Sequence, residues 1–277
     1  MEHIEGIFRG VREAKIYYQT YLPENGIKGA IIIVHGLGEH SGRYGNLVDY
    51  FLPQGFAIYG FDLLGHGKSE GEREFVHQYE DFTEILTIYK NKVKSRQPGK
   101  PIFLLGHSMG GLIAAEYLID HSREFDGAII SAPLIAVPDN INKLTIIAGK
   151  LFSTIVPKMG ITGIDPTSIS KDPEVVNNYI NDPLVYNGKT TARLSVELLK
   201  AIIRVNDEME KIIVPFIVLQ GSEDRLVNPE GANMLHEKAG SEDKTIRLYD
   251  GLYHEIFNEP ERGEVLSDVA EWLNARL

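Results

Sequence analysis

Apolar positions fall along this chain in two rhythms. Short runs that are apolar almost throughout recur as "GAIIIVH" (29–35), "FAIYGFD" (56–62), "IFLLG" (102–106), "GAIIS" (127–131) and "FIVLQG" (216–221), with "KIYYQTYL" (15–22) before them and "TIRLY" (245–249) after. A strand that is apolar on both sides is covered on both faces, as in a parallel sheet flanked by helices. Between the runs the spacing lengthens. Val76, Tyr79, Phe82, Leu86, Tyr89 and Val93 recur at three- and four-residue steps and predict a helix over 76–96. Segments 109–121, 230–239 and 261–276 read as helices as well. Strands alternating with helices predict an α/β fold with a mostly parallel central sheet.

The alternation stops between Ser131 and Val214, where prolines stand at 133, 138, 157, 166, 173 and 183 and no convincing strand is visible. Apolar residues at 144, 147, 148, 151, 152, 155 and 156 form an amphipathic helical stripe in this stretch. The expectation is a core made of residues 1–132 and 212–277, with 133–211 inserted as a mostly helical cap over the carboxyl edge of the sheet.

Composition narrows the function classes. With 39 acidic and 28 basic residues the formal charge is −11, which argues against nucleic acid and against electrostatic docking on anionic lipid, though not against an apolar partner surface. The absence of cysteine removes disulfides, thiolate metal sites and a cysteine nucleophile. The opening "MEHIEGIFRG" lacks a basic segment followed by an apolar stretch, so no signal peptide is expected. With no bilayer-length apolar run, the expectation is a soluble, cytoplasmic protein whose membrane contact, if any, is peripheral through the cap. The sequence leaves oligomeric state open.

The candidate chemistry sits at one joint. In "LLGHSMGGLIAAEYL" (104–118) a strand run meets a helix run, and Gly106-His107-Ser108-Met109-Gly110 between them fits G-x-S-x-G. A bare match would be met by any glycine-rich turn with a surface serine. A strand before it and a helix after it are the context that a strained, exposed nucleophile requires. A serine hydroxyl also needs a base. In this architecture the acid and the histidine come later in the chain in that order, each beyond a strand. Asp224 lies after "FIVLQG", and His254 lies after "TIRLY" in "DGLYHEIF". Glu223 and Asp250 are the competing acids; a helix cap and a loop histidine are the plainer roles for Asp224 and His254. Two backbone amides should face the developing oxyanion. One is that of Met109; the other is that of Leu37, in the "HGLGEH" loop (35–40). Scattered histidines without a helical H-x-x-x-H pair argue against a metal hydrolase, and no cofactor is expected.

Six segments, "HGLGEHSGRY" (35–44), "FDLLGHGKSEGER" (61–73), "FLLGHSMGG" (103–111), "NDPLVY" (181–186), "VPFIVLQGSEDRLV" (214–227) and "LYDGLYHEIFNE" (248–259), resemble the signature segments of the monoacylglycerol lipase family. The resemblance runs in order from about residue 29 to 260. It implies the α/β-hydrolase fold and hydrolysis of a monoacylglycerol to glycerol and a fatty acid, with Ser108, Asp224 and His254 as triad. It also implies polar contacts to the glycerol end from Glu39, Arg43, His107 and Tyr179. An internal salt bridge that shapes the loop is the competing role for Glu39 and Arg43, and His66 is read as bracing its own loop. A broader carboxylesterase or a lysophospholipase would use the same triad. Proline-iminopeptidase-type chemistry would need an acidic cluster for a free amine, and a non-catalytic ligand receptor would retain the residues without turnover.

Overall fold

The computed structural model describes residues 1–136 and 152–277. Among them, strands β1 (Glu2–Arg9), β2 (Lys15–Leu22), β3 (Gly29–Val34), β4 (Phe56–Phe61), β5 (Ile102–His107), β6 (Gly127–Ser131), β9 (Phe216–Gly221) and β10 (Lys244–Tyr249) form one sheet in the order β1-β2-β4-β3-β5-β6-β9-β10. The first three strands of that order pair antiparallel; from β4 to β10 every pairing is parallel.

Period-two alternation explains why the central strands read as continuous apolar runs. Ile32, Val34 and Leu104 point into a core shared with helices α2 (Glu80–Arg96), α3 (Met109–His121), α5 (Ala192–Glu208) and α6 (Glu230–Lys238). Their neighbours Ile31, Ile33, Phe103 and Leu105 point the other way, onto α1 (Gly45–Phe51) and α7 (Arg262–Asn274). Because β3, β5, β9 and β10 run parallel, the loops after them emerge at one edge of the sheet, where open α/β folds bind ligands.

Three expectations need correction. The helix of 76–96 begins only at Glu80. Val76 and Tyr79 are buried as the periodicity requires, but from a loop: Glu74 has φ 55°, and Asp81 and Phe82 still make three-residue turn bonds to Gln78 and Tyr79. Edge strand β1 is absent from the pattern of apolar runs, because it faces solvent on most positions. The stretch between β6 and β9 is not free of strands: β7 (Gly160–Thr162) pairs antiparallel with β8 (Thr190–Thr191), a ladder too short for periodicity to reveal.

The other regular elements of that excursion are helices and helical turns among the described residues. Helix α4 (Pro173–Asn181) starts with a proline at its first position and the Asp172 carboxylate accepting the Glu174 amide. At α5 the cap is Thr191, whose hydroxyl accepts from the Leu194 amide. The excursion docks on the loops at the carboxyl edge. Tyr186 N–H donates to the Gly38 carbonyl at 2.8 Å, His40 Nε2 donates to Asp182 Oδ2 at 2.9 Å, and the Thr190 hydroxyl donates to Glu74 Oε2 at 3.0 Å. Of the predicted apolar stripe, positions 144–151 lie outside the described residues; Phe152, Ile155 and Val156 are exposed.

Candidate active site

The joint after β5 is as tight as its small residues suggest. A Cβ at Gly106 would lie 2.3 Å from the Gly110 carbonyl oxygen, and one at Gly110 only 2.0 Å from that of Val34. Ser108 between them adopts φ 56° and ψ −118°, a conformation that costs an L-residue about 1–3 kcal/mol. Its backbone is held there from both sides. Ser108 N–H donates to the Ser131 carbonyl at 2.9 Å, and its own carbonyl accepts from Leu112 and Leu134. Helix α3 begins at the next residue, so its first-turn N–H groups and positive dipole end lie beside the serine.

His254 Nδ1 lies 2.8 Å from Asp224 Oδ2. An ionised carboxylate only accepts, so the shared proton belongs to Nδ1 and Nε2 is left with its lone pair. The Asp224 side chain is fully buried. Burial pushes its carboxyl up, but the hydrogen bond and charge of His254 and the amides of Leu226 and Val227 outweigh that and hold it below its usual range. Oδ1 accepts those two amides at 2.8 and 3.0 Å, and Gln220 Nε2 adds a bond to Oδ2 at 2.9 Å. The competing acids Glu223 and Asp250 are exposed.

Ser108 and His254 face one cavity of about 400 Å³. Among the described residues no hydrogen bond joins Ser108 Oγ to His254, and both side chains line the same cavity. Gly36, Leu37, Glu39, His107 and Tyr179 line it as well. Leu134, Ile164, Ile169, Leu198, Ile202 and Leu226 make much of the remaining lining apolar. The Met109 side chain is buried in the core, leaving its amide as the group that could serve the site.

The remaining sequence candidates are divided between two places. Glu39, His107 and Tyr179 line the main cavity; Arg43 lines a smaller one behind it, with Glu39, His107 and Glu255. Glu39 Oε1 accepts from the Gly36 amide at 2.6 Å and from the Tyr44 hydroxyl at 2.8 Å, while Oε2 faces Arg43 Nη1 at 3.3 Å. Arg43 donates to both carboxylate oxygens of Glu255, at 2.5 and 2.8 Å, and its guanidinium lies 4.6 Å from the centre of the Tyr179 ring. Burial alone would lower the Arg43 pKa and raise that of Glu255; their pairing reverses both, so both stay charged. His107 donates or accepts at Ser131 Oγ, 3.1 Å away, and burial, with the His254 charge second, pushes it down to about 4. His66 Nδ1 lies 3.0 Å from the Leu64 carbonyl, within its own loop. Glu255 does not stand out in the sequence; its one signal there is its place directly after His254.

Among the described residues no group of three histidine or acidic side chains could hold a metal ion, and no helix is long and apolar enough to cross a membrane.

Comparison with known proteins bears on this arrangement. The profile of the family described as serine aminopeptidase, S33, matches residues 25–261. A monoacylglycerol lipase of Mycolicibacterium smegmatis is 32% identical over 273 residues, covering 99% of this chain and 98% of that one. A monoglyceride lipase of Rattus norvegicus is 35% identical over 265 residues, covering 95% of this chain and 88% of its own. The crystal structure of a Paleococcus ferrophilus monoacylglycerol lipase superposes with a TM-score of 0.82 at 33% identity, covering all of both chains. With a mostly parallel eight-stranded sheet and similarity along nearly its whole length, the chain is a hydrolase of the α/β-hydrolase fold and belongs to the serine aminopeptidase S33 family and, within it, to the monoacylglycerol lipases.

Proposed function

We propose that this enzyme hydrolyses monoacylglycerols to glycerol and a free fatty acid through an acyl-enzyme on Ser108. The observation that carries the reading is the hydrogen-bonded Asp224–His254 pair, with His254 and Ser108 on one cavity whose lining is otherwise largely apolar. Ser108 Oγ attacks the ester carbonyl while His254 Nε2 takes its proton. The tetrahedral oxyanion is received by the amides of Leu37 and Met109. Collapse breaks the ester C–O bond, and the imidazolium returns the proton to the departing glycerol oxygen. A water, deprotonated by the same nitrogen, then releases the fatty acid. Asp224 holds the tautomer and stabilises the imidazolium.

In this reading Leu134, Leu198 and Ile202 belong to an apolar arm of the cavity that takes the acyl chain, where dehydration contributes about 0.8 kcal/mol per methylene. The described residues of the 133–211 segment act as the cap over this arm. Exposed Ile155, Met159, Ile161 and Ile180 on it support peripheral contact with a lipid surface. Tyr179 and His107 meet the alcohol end, with Glu39 and Arg43 shaping the loop beneath them. One observation favours a broader carboxylesterase as second reading: the Glu39 carboxylate is already engaged by Gly36, Tyr44 and Arg43, leaving it little capacity for glycerol hydroxyls. Labelling with a fluorophosphonate, located by peptide mass, tests the nucleophile. The expected adduct is on Ser108 and absent from Ser108→Ala; an unlabelled wild-type protein would overturn the hydrolytic mechanism.

A further inference from the structure

We propose that Glu255 is a positioning residue for hydrolysis, acting through Arg43 to set the distance between His254 and the loop that carries the Leu37 amide; this rests on the reading of Ser108 and His254 above. The two sides of the reaction come from opposite ends of the chain. The oxyanion loop comes after β3, the imidazole after β10, and one guanidinium joins them. Arg43 Nη1 and Nη2 reach Glu255 Oε1 and Oε2 at 2.5 and 2.8 Å. From the same guanidinium, Nη1 lies 3.3 Å from Glu39 Oε2, and Glu39 Oε1 in turn accepts the Gly36 N–H at 2.6 Å. A Cβ at Gly36 would be 3.2 Å from Ser108 Cβ, so the stretch of backbone being held runs directly against the nucleophile.

Asp224 fixes only the Nδ1 end of the imidazole. The His254 backbone is placed by its chain neighbour Glu255, whose side chain is the one clamped on Arg43. Glu255 has two further ties: its N–H donates to the Ile169 carbonyl at 2.8 Å, and its Oε2 accepts from Asn258 at 2.9 Å. The carboxylate is therefore held in plane as well as in place. Bidentate pairing suits this role, because two parallel bonds fix orientation where a single ion contact would fix only distance.

A buried pair that only held two loops together could be exchanged for apolar side chains at little cost to stability. A pair that sets catalytic geometry could not be exchanged without cost to turnover. Glu255 lines both cavities, whereas Arg43 lines only the smaller one and not the one shared by Ser108 and His254, so the Arg43 variants test the contact from its side away from substrate.

The test compares Glu255→Gln, Arg43→Lys and the double variant Arg43→Met/Glu255→Leu on monolaurin and on ethyl laurate, with unfolding midpoints measured alongside. Displacement of reacting groups by about 1 Å costs on the order of 100-fold. The expected result is a tenfold to hundredfold fall in kcat, equal on both esters, with KM within about twofold, and a double variant no slower than the worse single one because both act through one contact. The rate of fluorophosphonate labelling at Ser108 should fall in parallel. Wild-type kcat in folded Glu255→Gln or Arg43→Lys would overturn the proposal. So would a restored kcat in the apolar double variant, or a KM increase confined to monolaurin, which would place Arg43 on glycerol. If Glu255→Gln does not fold, Arg43→Lys decides alone, and its failure to fold too would make the pair a structural clamp and sink the proposal. Turnover surviving in Ser108→Ala would instead mean that the underlying mechanism had failed.

Discussion

Replacing Asp224 by asparagine removes one charge and exchanges one acceptor for a donor, and the structure dictates which oxygen is lost. Oδ1 faces the amides of Leu226 and Val227, fixed donors that tolerate only an oxygen. The asparagine must keep its oxygen there and turn its NH2 towards His254 and Gln220. Gln220 can adapt by rotating its amide, since its Oε1 is buried without a partner. His254 cannot adapt without cost. Its Nδ1 now meets a donor, so the proton moves to Nε2, the atom that must accept from Ser108. Loss of the productive tautomer in a serine protease of this type lowers kcat about 10⁴-fold, or about 5 kcal/mol at 1.36 kcal/mol per tenfold. The assay is kcat on a p-nitrophenyl ester with the unfolding midpoint as control; the midpoint should change little, because the Leu226 and Val227 amides keep their acceptor and His254 Nδ1 accepts from the new NH2. A folded variant within about tenfold of wild type would refute the tautomer argument and return Glu223 and Asp250 to consideration.

Three more outcomes are expected from the same geometry. Gly110→Ala should lose both activity and much of its thermal stability, because its Cβ would lie 2.0 Å from the Val34 carbonyl; wild-type kcat and midpoint would contradict the reading of the joint. Ile202→Trp, on the apolar arm, should lower kcat/KM for palmitoyl esters at least tenfold more than for butyryl esters; equal losses would place the acyl chain elsewhere. Stability to urea should fall as pH drops from about 6.5 towards 4. Burial lowers His35 to about 3 and His107 to about 4, so below the unfolded pKa the unfolded chain binds protons that the folded chain refuses. The His107 share is on the order of 3 kcal/mol, and His107→Asn should flatten that slope; an unchanged slope would mean His107 is not held neutral.

Much of this architecture is legible in the sequence, and the exceptions share causes. The strands β3, β4, β5, β6 and β9 of the main sheet are visible because they are covered on both faces, so Ile31 and Ile32 are equally apolar although they point opposite ways. β1 is hidden because edge exposure removes that signal, and β7 and β8 because two or three residues carry no periodicity. Val76 and Tyr79 show a different limit: their spacing reports burial faithfully, but a loop fixed by Glu74 can present buried side chains at helical intervals. At the site, Ser108, Asp224 and His254 can be found because each lies just past a recognisable strand at one edge of the sheet. Glu255 cannot, since its partner Arg43 lies 212 residues away and nothing local in either segment announces the pair. The split between Glu39 on the main cavity and Arg43 behind it is equally a matter of packing that spacing within "GEHSGR" cannot express.

Substrate choice is the central claim, and matched laurate esters address it most directly: initial rates on monoacyl-, diacyl- and triacylglycerol, lysophosphatidylcholine and the ethyl ester, with Ser108→Ala as blank. A clear preference for the monoacylglycerol is expected, because Tyr179 and His107 receive the glycerol head in the proposed binding mode while the apolar arm takes the chain. Equal kcat/KM on ethyl laurate would contradict it and leave an esterase that recognises the acyl chain alone.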